Sequence, residues 1–180
     1  FMNGKSNEWL DWIKIIGIAL IVAFVIRTFF VSPIVVDGPS MEPTLQDRDQ
    51  MIVNKFIYRI GDPNRFDIVV FHATDEKDFI KRVIGLPGEH VAVKDNELYI
   101  NGERVEEDYL EGPVNIYTND FRLEDLPGHY ERIPEGHVFV LGDNRSNSTD
   151  SRSLGVISID EIVGKASLIY WPLNRIGFVK

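Results

Sequence analysis

The sequence predicts a mainly β, antiparallel domain with a small inserted cap, preceded by one N-terminal transmembrane helix. Three observations predict it. Residues Trp12 to Val31 are apolar almost all round. Beyond Pro33 the chain changes to short β-branched and aromatic runs separated by turn-formers, and between Arg104 and Pro134 that rhythm breaks into charged, turn-rich sequence. With 180 residues, 44% of them hydrophobic, the chain can bury one good core and a small appended subdomain. The expected organisation is an N-terminal segment over residues 1–12, an anchor over 13–31, a β core over 32–103 and 135–180, and a cap over 104–134.

The apolar stretch has the length that a bilayer core requires of a helix, about 20 residues. Lys14 lies near one end, and Arg27 lies close enough to the other to snorkel. Trp9 and Trp12 fit an interfacial aromatic belt or ordinary packing. A removable signal would need small residues at its cut, whereas this run ends Thr28-Phe29-Phe30-Val31-Ser32-Pro33; the sequence therefore reads as a permanent anchor. Lys5 and Lys14 precede the centre of the span, while Asp37, Glu42, Asp47 and Asp49 outnumber Arg48 after it. That asymmetry favours the N-terminus inside and the domain outside.

Strands are expected at Ile34 to Val36, Met51 to Val53, Asp67 to Phe71, Phe79 to Ile84, His90 to Val93, Leu98 to Ile100, His137 to Leu141 and Ile162 to Trp171. Lys94-Asp95-Asn96 and Asn101-Gly102 mark hairpin turns. Ser158-Ile159-Asp160-Glu161 can open a short turn or helix just before the last strand.

Composition removes several functions. Without cysteine there is no thiol nucleophile, thiolate metal site or disulfide. The formal net charge is −9, and the part after the span, with 16 basic and 26 acidic residues, carries −10, a poor surface for nucleic acid or acidic lipid. His72, His90, His129 and His137 lack close metal-ligand spacing, and nothing marks one as a base; no metal or other cofactor is expected.

Three segments are more punctuated than folding alone requires. In Gly38-Pro39-Ser40-Met41-Glu42-Pro43-Thr44-Leu45, glycine and proline fix the backbone into Ser40, so that its hydroxyl and amide can face one carbonyl; taken alone, the pattern reads more readily as an ordinary Gly/Pro turn, in which serine is common. In Asp78 to Gly88, strand alternation puts Lys81 on a face with Phe79 and Val83. A lysine buried there loses solvation of its charged form and becomes available as a base, whereas one that snorkels or pairs with Asp78 does not. Gly142 to Arg152 is a dense polar loop directly after an apolar strand. It reads either as a rigid support or as a solvated turn carrying an Asp150 and Arg152 pair.

With these three segments in order behind the anchor, and with Asp67 to Phe71 between them, the chain resembles the bacterial type I signal peptidases over nearly its whole length after residue 12. The resemblance implies a membrane-bound serine endopeptidase that removes signal peptides from secretory preproteins. In it Ser40 is the nucleophile and Lys81 its general base, and Ser148 hydrogen-bonds and orients the lysine amine. Asp150 and Arg152 form a structural ion pair behind the site, with Arg82 nearby. Met41 packs beside the lysine, and Val36, Leu45 and Ile80 wall pockets for small side chains. The implied setting is the bacterial cell membrane, with a single pass, the N-terminus cytoplasmic and the catalytic domain extracytoplasmic. The implied partners are signal peptides and the bilayer, with no nucleic acid and no metal.

Gly38 stands where many Gram-negative members carry a serine that assists the oxyanion, which likens the chain to the Gram-positive branch. Two other readings fit parts of the sequence. A self-cleaving serine/lysine repressor would need a DNA-binding module where the anchor stands. A membrane-tethered, non-catalytic β domain would bind exported peptides or partners and be indifferent to the Ser40 hydroxyl.

Overall fold

The computed structural model describes residues 8–74, 76–110 and 116–179. Lys5 and most of the expected N-terminal segment, together with residues 111–115 of the expected cap, lie outside them. Helix α1 (Glu8–Phe29) has 22 residues, a mean hydropathy of 2.2 in its most apolar window and no buried residue. At 1.5 Å per residue it is about 33 Å long, enough to cross a hydrocarbon core. It begins before the expected residue 13 and ends before residue 31. The early end has a cause: Val31 opens strand β1 (Val31–Val35), pairing with Asn54 of β2 (Gln50–Asn54). Pro33, which cannot donate to a ladder, is tolerated because β1 is an edge strand.

The main sheet has eight strands and is antiparallel throughout. Besides β1 and β2 it contains β3 (Ile68–Thr74), β4 (Lys77–Gly85), β9 (His137–Leu141), β10 (Ile157–Ser158), β11 (Ile162–Trp171) and β12 (Gly177–Phe178). Its order is β1-β2-β11-β3-β4-β9-β10, with β12 added beside β11. Strand β3 is central and covered on both faces. Ile68 and Val70 pack with Val36, Met41, Leu45, Met51 and Val53, whereas Val69 and Phe71 pack with Val83, Val138 and Val140. This is why β3 reads as an unbroken apolar run rather than an alternation.

A second sheet of β5 (Val91–Lys94), β6 (Glu97–Ile100), β7 (Glu103–Val105) and β8 (Phe121–Arg122) is ordered β7-β6-β5-β8. Its hairpins turn at Asp95-Asn96 (φ 53° and 66°) and Asn101-Gly102 (φ 52° and 85°). Positive φ at both central positions matches the right-handed twist of the strands they join. Strands β5 and β6, expected as part of the 32–103 core with a cap at 104–134, thus pair in a second sheet, while Val91, Val93, Leu98 and Ile100 still share a buried cluster with Ile84, Phe139 and Leu141 of the main sheet. Periodicity marks a strand but not the sheet it joins. The two sheets are packed so closely at β4 that a Cβ on Gly85 would run into the side chains of Ile133 and Val91.

Candidate active site

The Ser40 turn follows directly on β1. Val36 donates its amide to Asp49 O at 2.8 Å and accepts from the Arg48 amide at 3.0 Å, closing residues 37–47 into a loop. Gly38, at φ +89°, holds a left-handed conformation that a side chain would strain, and its amide donates to Asp47 Oδ1 at 2.9 Å. The loop is pinned at its base. Arg175 Nη2 donates to the Asp49 carboxylate at 2.9 Å and to Thr44 O at 3.1 Å.

Lys81 projects from β4, its Nζ lying 2.9 Å from Ser40 Oγ and donating to Ile80 O at 2.9 Å. It is 3% exposed, and its nitrogen sits 5.1 Å from the centre of the Phe79 ring. Burial lowers its pKa to about 8, against the opposing pull of the Asp150 and Asp143 carboxylates. Snorkelling and pairing with Asp78, both open from the sequence, are not what the lysine does: Asp78 instead lies 2.6 Å from His72 Nδ1.

The Gly142 to Arg152 loop encloses the pair from behind. Asp150, fully buried, accepts from the Gly142 amide at 3.0 Å and from Arg152 Nε and Nη2, both at 2.8 Å, and it caps helix α2 (Ser151–Leu154). The loop also grips the serine turn. Asn144 donates its amide to Ser40 O at 3.0 Å and its side chain to Pro39 O at 3.1 Å. A Cβ on Gly142 would collide with the Ser148 side chain and with Ser40 O, so only glycine permits this approach.

Arg82 faces away from Ser40 and Lys81. Its Nε and Nη2 donate to Asp143 at 2.9 and 2.7 Å, and its guanidinium stacks 4.0 Å from the Tyr109 ring centre. Asp143 and Arg82 are both essentially unexposed.

The structure brings most of the expected residues together. Val36, Ser40, Met41, Ile80, Lys81 and Ser148 line one cleft of about 780 Å³ between the end of β1 and the start of β4. Leu45 does not line it; wholly buried, it packs with Met41 and Val36 in the core beneath. Ser148 is in place, but its Oγ is buried and has no hydrogen-bond partner among the described residues, so the expected bond to the lysine amine is not made.

Sequence reasoning missed Asp143 as the partner of Arg82, the Asp49 clasp to Arg175, and Arg145. That last side chain is fully buried and is held by Glu107, Thr118 and Tyr109 of the smaller unit. A charged residue inside an apolar strand, such as Arg82 between Lys81 and Val83, was the available signal, since it requires a carboxylate from elsewhere in the chain.

The comparisons with known proteins agree in direction. The model of a family described as signal peptidase, peptidase S26, matches residues 9–171. The chain is 46% identical over 169 residues to a Signal peptidase I from Bacillus caldolyticus, covering 89% of this chain and 91% of that protein. It is 40% identical over 181 residues to a Signal peptidase IB from Staphylococcus aureus, covering 96% and 95% respectively. A crystal structure of a signal peptidase I from Enterococcus faecalis superposes with a TM-score of 0.53 at 43% identity, over 59% of this chain and 97% of that one.

Proposed function

The chain belongs to the signal peptidase family, peptidase S26, and from that membership we propose that it removes signal peptides from exported preproteins by acyl transfer through a Ser40–Lys81 dyad. As a serine endopeptidase it needs an activated hydroxyl. The observation that carries the assignment is the 2.9 Å approach of a buried Lys81 amine to Ser40 Oγ.

Neutral Lys81 takes the Ser40 proton as Oγ bonds to the last carbonyl carbon of the signal peptide. The resulting ammonium gives that proton to the departing amine as the C–N bond breaks. Lys81 then deprotonates a water that attacks the ester, and the Ser40 hydroxyl is restored. The Ser40 amide is assigned to the developing oxyanion. Arg82–Asp143 and Arg152–Asp150 keep two carboxylates close to the lysine while tying each to a guanidinium, so that neither captures the amine. Asp150, Arg152 and Arg82 thus act as supports of the dyad, and Ser148 lines the cleft beside it.

The signal segment lies extended along the walls made by Val36, Met41 and Ile80, whose shallow space favours small side chains at the first and third positions before the cut. Leu45 supports those walls from below. Helix α1 fits a single-pass membrane anchor. The charge asymmetry about it assigns the N-terminus to the cytoplasmic side and the catalytic domain to the extracytoplasmic side.

The test is turnover of a preprotein in detergent or vesicles. Ser40→Ala and Lys81→Met each abolish cleavage while the circular dichroism spectrum is unchanged. Lys81→Arg also fails, because a guanidinium stays charged. Near-wild-type turnover by either Ser40→Ala or Lys81→Met would overturn the dyad.

A further inference from the structure

Beside the cleft runs a second groove, of about 500 Å³, between the smaller sheet and the Gly142 to Arg152 loop. Tyr117, Phe121 and Leu126 form one wall; Ser146, Ser148 and Arg152 form the other. Ser146 and Ser148 also line the catalytic cleft, so the two depressions adjoin at these serines.

We propose that this groove seats the residues of the substrate that follow the scissile bond, the segment that becomes the new N-terminus of the released protein. The inference rests on the peptidase reading above. Strand β1 continues from helix α1, and its last residues Ile34 and Val35, with Val36 just beyond, line the opposite end of the cleft. A polypeptide emerging from the bilayer meets that end first, passes Ser40, and leaves across Ser146 and Ser148 into the second groove.

Hydrogen bonds and ring packing tie the groove's residues to both sheets. The Thr118 amide donates to Asn96 Oδ1 at 2.7 Å, and Arg145 Nη1 donates to Thr118 Oγ1 at 3.0 Å. Arg145, with no exposed side-chain surface, also lies among the lining residues and is ion-paired to Glu107 at 2.5 Å. The Phe121 ring packs 5.7 Å from that of Phe139 in the main sheet. A pre-ordered seat does not spend binding energy on its own ordering. Tyr117 is 59% exposed, so an aromatic face is presented to an incoming apolar side chain.

The experiment uses two synthetic preprotein peptides with the same signal region. One ends at the first residue after the cut, and the other continues for four more residues, with leucine at the third. For the wild-type chain, kcat/KM is expected to be roughly tenfold higher for the longer peptide, the scale of one well-made aromatic contact. Tyr117→Ala brings the ratio to about one through the longer peptide alone, leaving the shorter one unaffected, and Tyr117→Phe restores it. A wild-type ratio near one, or an unchanged ratio in Tyr117→Ala, would overturn the groove assignment while leaving the peptidase intact. Failure to cleave either peptide would overturn the peptidase reading, and the groove with it. A photo-crosslinker at the third residue after the cut, bound to Ser40→Ala, labels residues 117–126; label confined to Ile34, Val36 or Ile80 would also sink the assignment.

Discussion

A lysine in an apolar strand is costly as a cation and useful as an amine, and Lys81 is placed where both facts matter. With burial holding its pKa at about 8, the neutral form that can accept the Ser40 proton is the minority species at neutral pH. The sign follows: kcat/KM rises with pH through about 8 and is lost as pH falls below it, because protonation removes the base. A pH–rate profile on a preprotein checks this, and a limb at the ordinary lysine position would contradict it. At this scale the site was largely legible. Glycines and prolines around Ser40 announced a constrained turn, and strand alternation placed Lys81 with apolar neighbours. Two roles were not legible. Leu45 lies one layer below the wall it was assigned to, and sequence spacing carries no depth. Ser148 arrives at the site without the expected bond, because a hydroxyl's partner depends on a rotamer that spacing does not encode.

Among the elements, β4 and the loop after β9 are held together by charge inside the fold. Arg82 lies within β4 and Asp143 in the loop after β9, and the two are buried together, so removing one strands the other in a medium that cannot solvate it. Asp143→Ala is expected to destabilise the domain by about 3–5 kcal/mol, measured as a lowered denaturation midpoint. Exchanging both residues for apolar ones of similar volume should cost much less; an equal cost would mean that the pair itself, and not the orphaned charge, matters. The strands read correctly were those of four residues or more, whose composition and flanking turns declare them. Strands β7, β8, β10 and β12, of two or three residues, are too short to show a period. The hairpins at Asp95-Asn96 and Asn101-Gly102 were correctly marked, yet they belong to a sheet of their own, since turn chemistry fixes local pairing and not tertiary partnership.

Across the whole molecule, helix α1 and the main sheet are joined with almost no intervening chain. The Phe30 amide still bonds back to Ile26 O in the helix at 2.9 Å, while its carbonyl accepts from Lys55 N at 2.9 Å, just beyond β2. The Phe30 and Phe56 rings meet at 5.2 Å, and the Arg59 guanidinium stands 5.5 Å from the Phe29 ring centre. Helix hands over to sheet within one residue, and that residue is fastened on both sides. Inserting four Gly/Ser residues between Phe30 and Val31 is therefore expected to lower cleavage of preproteins with the native spacing between apolar core and cut. Preproteins with a longer spacer should be affected less, as read by product formation across a spacer series in vesicles. Equal cleavage across that series, with and without the insertion, would show that the junction sets no distance. On the proposed function, a weld of this kind would turn Ser40 into a depth gauge: held at one height above the lipid, it would sample whichever peptide bond a signal presents there, so that position along the membrane normal would join side-chain size as a criterion for cutting.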